Sequence, residues 1–345
     1  MRWRWSGNKQ VGIGNSVITS KAKQSHLNDT HAVRSAIVRV QLLRFARNDR
    51  RLIMRKSLPL LLLLPAAALA HEFWLQPASY HVTVGAAVPV RLLVGENFAG
   101  TSWARPTRRV RRFVRFGPTP LDSADLRPAL LADSLAPALR CPAPGTHVVA
   151  LTSHLAYIEL PAAQFTAYLR EEGLSLALRQ RQEADESTTK PGREAYHRCA
   201  KALLLATRGA ALPPAAADTG YRRVLGLPLE LVPEQNPYRL RPGAALTVRV
   251  LSQGRPVPSA QVQVWHPTPL TGPHRTPTPG PPTVTRFATY SNAQGRVLLR
   301  LPDAGPYLLT TVRMEAAPAA LASRADWLST WASLTFGGPK TVAAP

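Results

Sequence analysis

Cysteine is nearly absent from this chain: Cys141 and Cys199 are the two such residues among 345. No C-x-x-C spacing exists, and His197, two residues from Cys199, would point elsewhere on a helix, which argues against a metal site built on both thiols. Acidic residues are scarce as well, 20 Asp+Glu against 43 Lys+Arg, for a formal net charge of +23. Long apolar runs are missing. The run from Leu58 to Leu64 is interrupted by Pro59, far short of the roughly 20 residues a membrane-spanning helix needs. Nor does a Ser/His/Asp or Cys/His nucleophile arrangement, a paired-carboxylate motif or a phosphate-cradling glycine loop stand out. Hydrolysis and nucleotide chemistry are thus without support, and a protein with no turnover is expected. Proline, by contrast, is abundant at 33 residues, which favours strands, turns and loops over long helices.

The most informative stretch begins at Met54. Arg55 and Lys56, the apolar run behind them and Ala68-Leu69-Ala70 supply the basic start, hydrophobic centre and A-x-A cleavage pattern of a secretory signal. Cleavage after Ala70 is expected to leave a periplasmic chain of 275 residues that starts at His71 and has no transmembrane segment. Residues 1–53, with eleven Lys+Arg against two acidic residues, show no helical or alternating period. They are read as a disordered extension from a start codon assigned too far upstream. Without them and the two basic residues of the signal, 30 Lys+Arg face 18 acidic residues, a net charge of +12. Part of the apparent nucleic-acid signal disappears with the leader, and no nucleic-acid partner is expected. Two cysteines in an exported chain usually pair, so a Cys141–Cys199 disulfide is expected.

Beyond His71, the segment YHVTVGAAVPVRLLVG from Tyr80 alternates apolar residues on either side of Gly85, the pattern of two short strands and a turn. It recurs as YRLRPGAALTVRVLSQG from Tyr238, with Gly243 matching Gly85 and Val248-Arg249 matching Val90-Arg91. The expected fold is therefore mainly β, two immunoglobulin-like β-sandwich domains over residues 71–232 and 238–338. The first carries a helical insertion, about 161–207. In it Phe165, Tyr168 and Leu169 make one apolar stripe, and REAYHRCAKALLLAT from Arg193 makes a second helix with Tyr196, Cys199 and Leu203 on one side. Further strands are expected around Val248, at Val262–Trp265, Phe287–Tyr290, Val297–Leu301, Tyr307–Arg313 and Ala332–Phe336, with 267–282 a proline-rich loop.

Taken together, AHEFWLQP after the signal, VGENFAG, IELPAAQFTAYLREEGL, YHRCAKALL, GLPLELVPEQNPY and DWLSTWASLTF resemble the bacterial domain-of-unknown-function 4198 family over essentially the whole mature chain. The resemblance implies a periplasmic component of cobalt or nickel uptake, with membrane metal-transporter subunits as partners. The second domain also resembles the transthyretin-like or carboxypeptidase-regulatory-like sandwiches, through the phrases from Gly254 to Val264 and from Asn292 to Val297. One departure concerns VRME: a histidine is expected before the methionine in that family, and Arg313 stands there.

For a divalent transition metal, nickel or cobalt with copper as an alternative, the leading ligand is His71, whose terminal amine and imidazole can close one chelate ring. His81, His147 and His154 are the candidates for a second imidazole. The last two are seven residues apart and would face opposite sides of one strand, so at most one joins. Glu72 and Glu96 could add an oxygen ligand. His197, His266 and His274 are assigned surface or satisfied-core roles. Arg108, Arg109, Arg111, Arg112 and Arg115, within the densest positive stretch of the mature chain, form a candidate anion-binding strand, the basis of an alternative reading as an envelope adhesion or structural module.

Overall fold

Alternating apolar side chains draw most of this chain into strands. The computed structural model describes residues 72–267 and 284–338; the leader, the signal, His71 and the proline-rich loop with His274 lie outside the described residues. The strands of the first half are β1 (Glu72–Pro77), β2 (His81–Thr83), β3 (Ala87–Glu96), β4 (Ala99–Ser102), β5 (Val110–Phe116), β6 (Ser123–Asp125), β7 (Ala138–Arg140), β8 (Gly145–Ser153), β9 (Ala156–Leu160) and β10 (Gly192–Thr207). Those of the second half are β11 (Glu230–Pro233), β12 (Ala245–Ser252), β13 (Arg255–Pro256), β14 (Gln261–Pro267), β15 (Val284–Tyr290), β16 (Arg296–Arg300), β17 (Pro306–Ala316) and β18 (Trp327–Gly337). Four short helices interrupt the first half: α1 (Pro106–Arg109), α2 (Arg127–Ala132), α3 (Ala162–Glu171) and α4 (Ser175–Glu183). No helix among the described residues is long and apolar enough to cross a membrane.

The fold is mainly β, with its sheets in sandwich-like layers. A ten-stranded sheet runs β15-β14-β17-β18-β10-β8-β5-β6, and β2 and β9 also pair with β10. One four-stranded sheet is β1-β3-β4 with β7 on β3, and another is β11-β12-β13 with β16 on β12. The alternation of β10 shows how they stack. Its Ala200, Ala202, Leu204 and Ala206 share a core with Phe73, Leu75, Val88, Val90 and Leu92 of β1 and β3. Its Cys199, Leu203 and Leu205 face a different core, with Leu231, Leu246, Val248, Val250, Val297 and Leu299 of β11, β12 and β16.

This double burial corrects the expected second helix, because REAYHRCAKALLLAT belongs to the sixteen-residue strand β10. A strand buried on both faces reads as a continuous apolar run, and its alanines and leucines mimic helical composition. Tyr196, Cys199 and Leu203 do not share the side that a helix would give them. The helical part of the insertion stops at Glu183. Its Phe165, Tyr168 and Leu169 are buried as expected, but they pack on Val312, Met314, Trp327 and Trp331 of β17 and β18 in the second half.

The expected disulfide is corrected by the same alternation. Cys141 and Cys199 are both free and buried; Cys141 lies in the core beside β1 and β3, Cys199 in the core beside β11 and β12. The sheet itself separates them. Burial pushes both thiols up to about 12, so they are inert protonated groups.

The two halves are joined within one sheet. β10 and β18 pair in parallel from Glu194↔Trp327 to Ala202↔Thr335, and all described residues fall in one compact unit. The repeat read from the sequence is real at the turns. Gly85 and Gly243 hold φ of +79° and +82°, the left-handed region that glycine enters without steric cost, and each precedes a strand, β3 or β12.

Lys201 of β10 and Glu230 of β11 form an ion pair at 3.0 Å, with side chains 1% and 0% exposed. Glu230 also accepts from the backbone N–H groups of Leu225, Gly226 and Leu227. Removing one partner of a buried pair leaves a charge unmatched, at a typical cost of about 3–5 kcal/mol. Glu230→Ala is expected to lose about that much stability in urea unfolding, and Lys201→Met with Glu230→Leu to recover most of it.

Candidate functional site

Glu72 starts β1 and faces Gly95 of β3 in the antiparallel register. The strand is anchored on one side by Trp74, fully buried with Leu93, Trp265 and Leu308. Phe73, on the other side, packs on Trp103 with ring centroids 4.7 Å apart. On the Trp74 side of the strand, the Glu72 side chain is 6% exposed, and its Oε2 has no hydrogen-bond partner among the described residues. A bare buried carboxylate is costly in its charged form. Burial accordingly raises Glu72 to about 7, opposed first by a hydrogen bond from its own backbone and then by Arg286, with Glu96 and Glu171 adding to the rise.

A second carboxylate stands near it. Glu172 caps the C-terminus of α3, where Gly173, at φ +65°, ends the helix. A Cβ at Gly173 would come within 2.5 Å of the Gln261 side chain, so glycine, already favoured by the positive φ, lets this turn lie against β14 without displacing Gln261. Glu172 is 7% exposed, and its Oε2 accepts from Gln263 Nε2 at 3.1 Å. Gln263 in turn accepts from Arg286 at 2.6 Å and 3.1 Å, while the Arg286 guanidinium lies 4.6 Å from the Trp265 ring. Burial, then the charges of Glu72 and Glu171, raise Glu172 to about 8.

Four elements thus converge: β1 with Glu72, the end of α3 with Glu172, β14 with Gln263 and β15 with Arg286. Near neutral pH this pocket of carboxylates retains protons that a cation can displace. The sequence reading named Glu72 but missed Glu172, Gln263 and Arg286. The adjacent Glu171-Glu172-Gly173 at a helix end was the available signal, and nothing in the spacing pointed to β14 or β15.

The other expected ligands are scattered. His71 lies outside the described residues, immediately before Glu72. His81 is half-buried, edge-on to Tyr238 at 5.0 Å. His154 is exposed beyond the end of β8. His147 is fully buried with both nitrogens engaged: Nδ1 accepts from Arg115 at 3.2 Å, so Nε2–H donates to the Ala143 carbonyl at 2.8 Å. Burial lowers its pKa, and the ring is a structural hydrogen-bond relay, which corrects its candidacy. His197 is satisfied by Thr330 at 2.7 Å. Among the described residues no group of three or more His, Cys, Asp or Glu side chains is arranged to hold a metal ion.

The arginine strand also divides. Arg108, Arg109, Arg111 and Arg112 are exposed, with Arg109 over the Trp103 ring and Arg112 over the Phe116 ring. Arg115 leaves the candidate anion site, since it is 5% exposed and pairs internally with Asp122 at 2.6 Å. A register shift between Val110 and Arg112 breaks the simple alternation and turns Val110 and Phe113 into one core.

The raised carboxylates fix the sign of the pH dependence. Glu72, Glu172 and Glu194, the last raised to about 7 by burial, keep protons in the folded state that the unfolded chain releases near 4.5. Their stabilisation is complete below that value and is lost as pH rises through about 7 to 8. Calorimetric melting is therefore expected to fall steadily from about pH 5 to pH 9, and Glu172→Gln is expected to flatten that decline.

In comparisons with known proteins, the family model described as Domain of unknown function (DUF4198) matches residues 68–315. No curated protein matches. Among solved structures, trypsin-activated alpha-2-macroglobulin from Escherichia coli is similar over 77% of this chain and 15% of its own length, at 9% identity and a TM-score of 0.18. A likeness at that level carries no argument.

Proposed function

The chain belongs to the DUF4198 family, and we propose that it is an exported periplasmic carrier that binds a divalent transition metal and hands it to the membrane subunits of an uptake system. Nickel or cobalt is the cargo, with copper the alternative, and no turnover is involved. The observation that carries the reading is the buried, unpartnered Oε2 of Glu72, one residue from the expected new terminus and within the electrostatic reach of Glu172.

The donor set suits such an ion. Carboxylates alone favour hard cations, whereas the amine and imidazole of His71 shift the preference to nickel, cobalt or copper. Glu72 and Glu172 would supply oxygen ligands, Gln263 holds Glu172 in place, and Arg286 limits the negative charge. The bound metal would neutralise two carboxylates that otherwise need protons. Loading at pH 8 and release on acidification follow, because metal and protons compete for the same oxygens.

Calorimetry with nickel, cobalt and copper tests this on protein that begins at His71. Affinity is expected to climb between about pH 6 and pH 8. One extra residue ahead of His71, or Glu72→Gln, is expected to weaken binding about tenfold or more, given that loss of outer-shell partners alone costs about 10–100-fold. Equal affinity in all three proteins would refute the site.

A second reading has its own observation. Arg108, Arg109, Arg111 and Arg112 are exposed and form no ion pair among the described residues, as suits an envelope module that binds an anionic polymer. Binding of an anionic polysaccharide such as heparin is then expected to weaken steeply with salt and to vanish when these four are replaced by Ser; retention at high salt would exclude it.

A further inference from the structure

We propose a second metal site, formed by His266 Nε2 and the Asp303 carboxylate, on the opposite face of β14 from the carboxylate pocket. Strand alternation sets the two apart: Gln263 faces Glu172, whereas His266 shares the face of Val262 and Val264, which belong to the core beside β11 and β12.

The His266 ring is 1% exposed. Its Nδ1 lies 3.0 Å from the Pro306 carbonyl, an oxygen that can only accept, so the proton is on Nδ1. In the neutral ring Nε2 then carries a lone pair, and this atom has no hydrogen-bond partner among the described residues. Asp303 Oδ2 lies 3.9 Å from it. That is too long for a hydrogen bond. Ligand atoms about 2.0–2.2 Å from one tetrahedral zinc ion stand roughly 3.4 Å apart, so a shift of about 0.5 Å by the half-exposed Asp303 carboxylate lets one ion bridge the two.

The pair is held ready by a single residue. The Tyr307 ring stacks on His266, centroids 4.2 Å apart and planes within 11°, and it stacks in turn on Phe336. The Tyr307 hydroxyl donates to the Asp303 carbonyl at 2.7 Å and accepts from the Asp303 N–H at 3.1 Å. Ring and hydroxyl therefore hold the imidazole and the backbone of Asp303 together, which sets the side chain of Asp303 beside the ring. A ligating histidine typically gives its other N–H to a carbonyl or carboxylate, which sets tautomer and orientation; Pro306 does this here. The Asp303 side chain is 49% exposed, which leaves a side open for water to complete the coordination. Imidazole with carboxylate suits a borderline divalent ion such as zinc or nickel.

The test uses the exported chain with one extra residue ahead of His71 and Glu72→Gln, so that failure of the first site and of this one are read separately. Zinc is titrated into this protein while the imidazole nitrogens are followed by proton–nitrogen NMR. The His266 Nε2 resonance is expected to move to its coordinated position at one equivalent of zinc. Asp303→Asn, at a side chain whose only ionic neighbour among the described residues is His266, is expected to keep the fold and to weaken binding about tenfold or more; His266→Gln is expected to abolish it. An unmoved Nε2 resonance at saturating zinc, or Asp303→Asn binding zinc as well as its parent, would overturn the proposal.

Discussion

The structure depends on β10 being dry on both sides. Its even residues close one core and its odd residues close another, so the two faces of a single strand are the floor of one sandwich and the roof of the next. A large aliphatic side chain buried in this way gains on the order of 1.5–3 kcal/mol, and successive residues of the strand contribute to opposite layers. That double duty explains why two repeats that open on the same glycine turn do not fold as beads on a string. They share a wall.

A shared wall concentrates polar residues at risky places. β10 carries Glu194, Arg198 and Lys201 in its buried stretch, and each has an answer in the layers around it. Glu194 accepts from Ser329 and from Tyr168, Arg198 lies against the rings of Phe73 and Tyr196, and Lys201 meets Glu230. Burial lowers the pKa of Arg198 and Lys201 and raises that of Glu194, so these groups are tied to one register of the sheet. Glu72 differs, because one of its oxygens is left without an answer. Arg181 of α4 also keeps buried nitrogens without a hydrogen-bond partner, so what marks the pocket is an orphaned carboxylate oxygen beside a second raised carboxylate, Glu172.

Much of the scaffold was legible in the sequence. Period-two patterns located most strands of the second half, the two glycine turns fixed the repeat, and Phe165, Tyr168 and Leu169 announced the face of α3. What failed did so for identifiable reasons. The apolar face of β10 is doubled, so no alternation survives to separate it from a helix. Pairing of Cys141 with Cys199 rested on counting and compartment, and counting does not show that a sheet lies between two thiols. The candidate site was legible only at Glu72, since Glu172, Gln263 and Arg286 meet it through packing between segments about 100 and 200 residues away. His266 looked like a core histidine and is one, except that the orphaned nitrogen can be seen only once its neighbours are in place.

Because β18 supplies the parallel neighbour of β10 and the antiparallel neighbour of β17, the last strand described is also the keystone of the widest sheet. Nascent chain emerging in order from the ribosome would hold β10 with one flank unzipped until some 120 residues later that keystone arrives. Contacts of such long sequence separation form slowly, and an open flank in the meantime is a template for stray pairing. A chain built this way closes its widest sheet late, in one cooperative event that waits on its final strand.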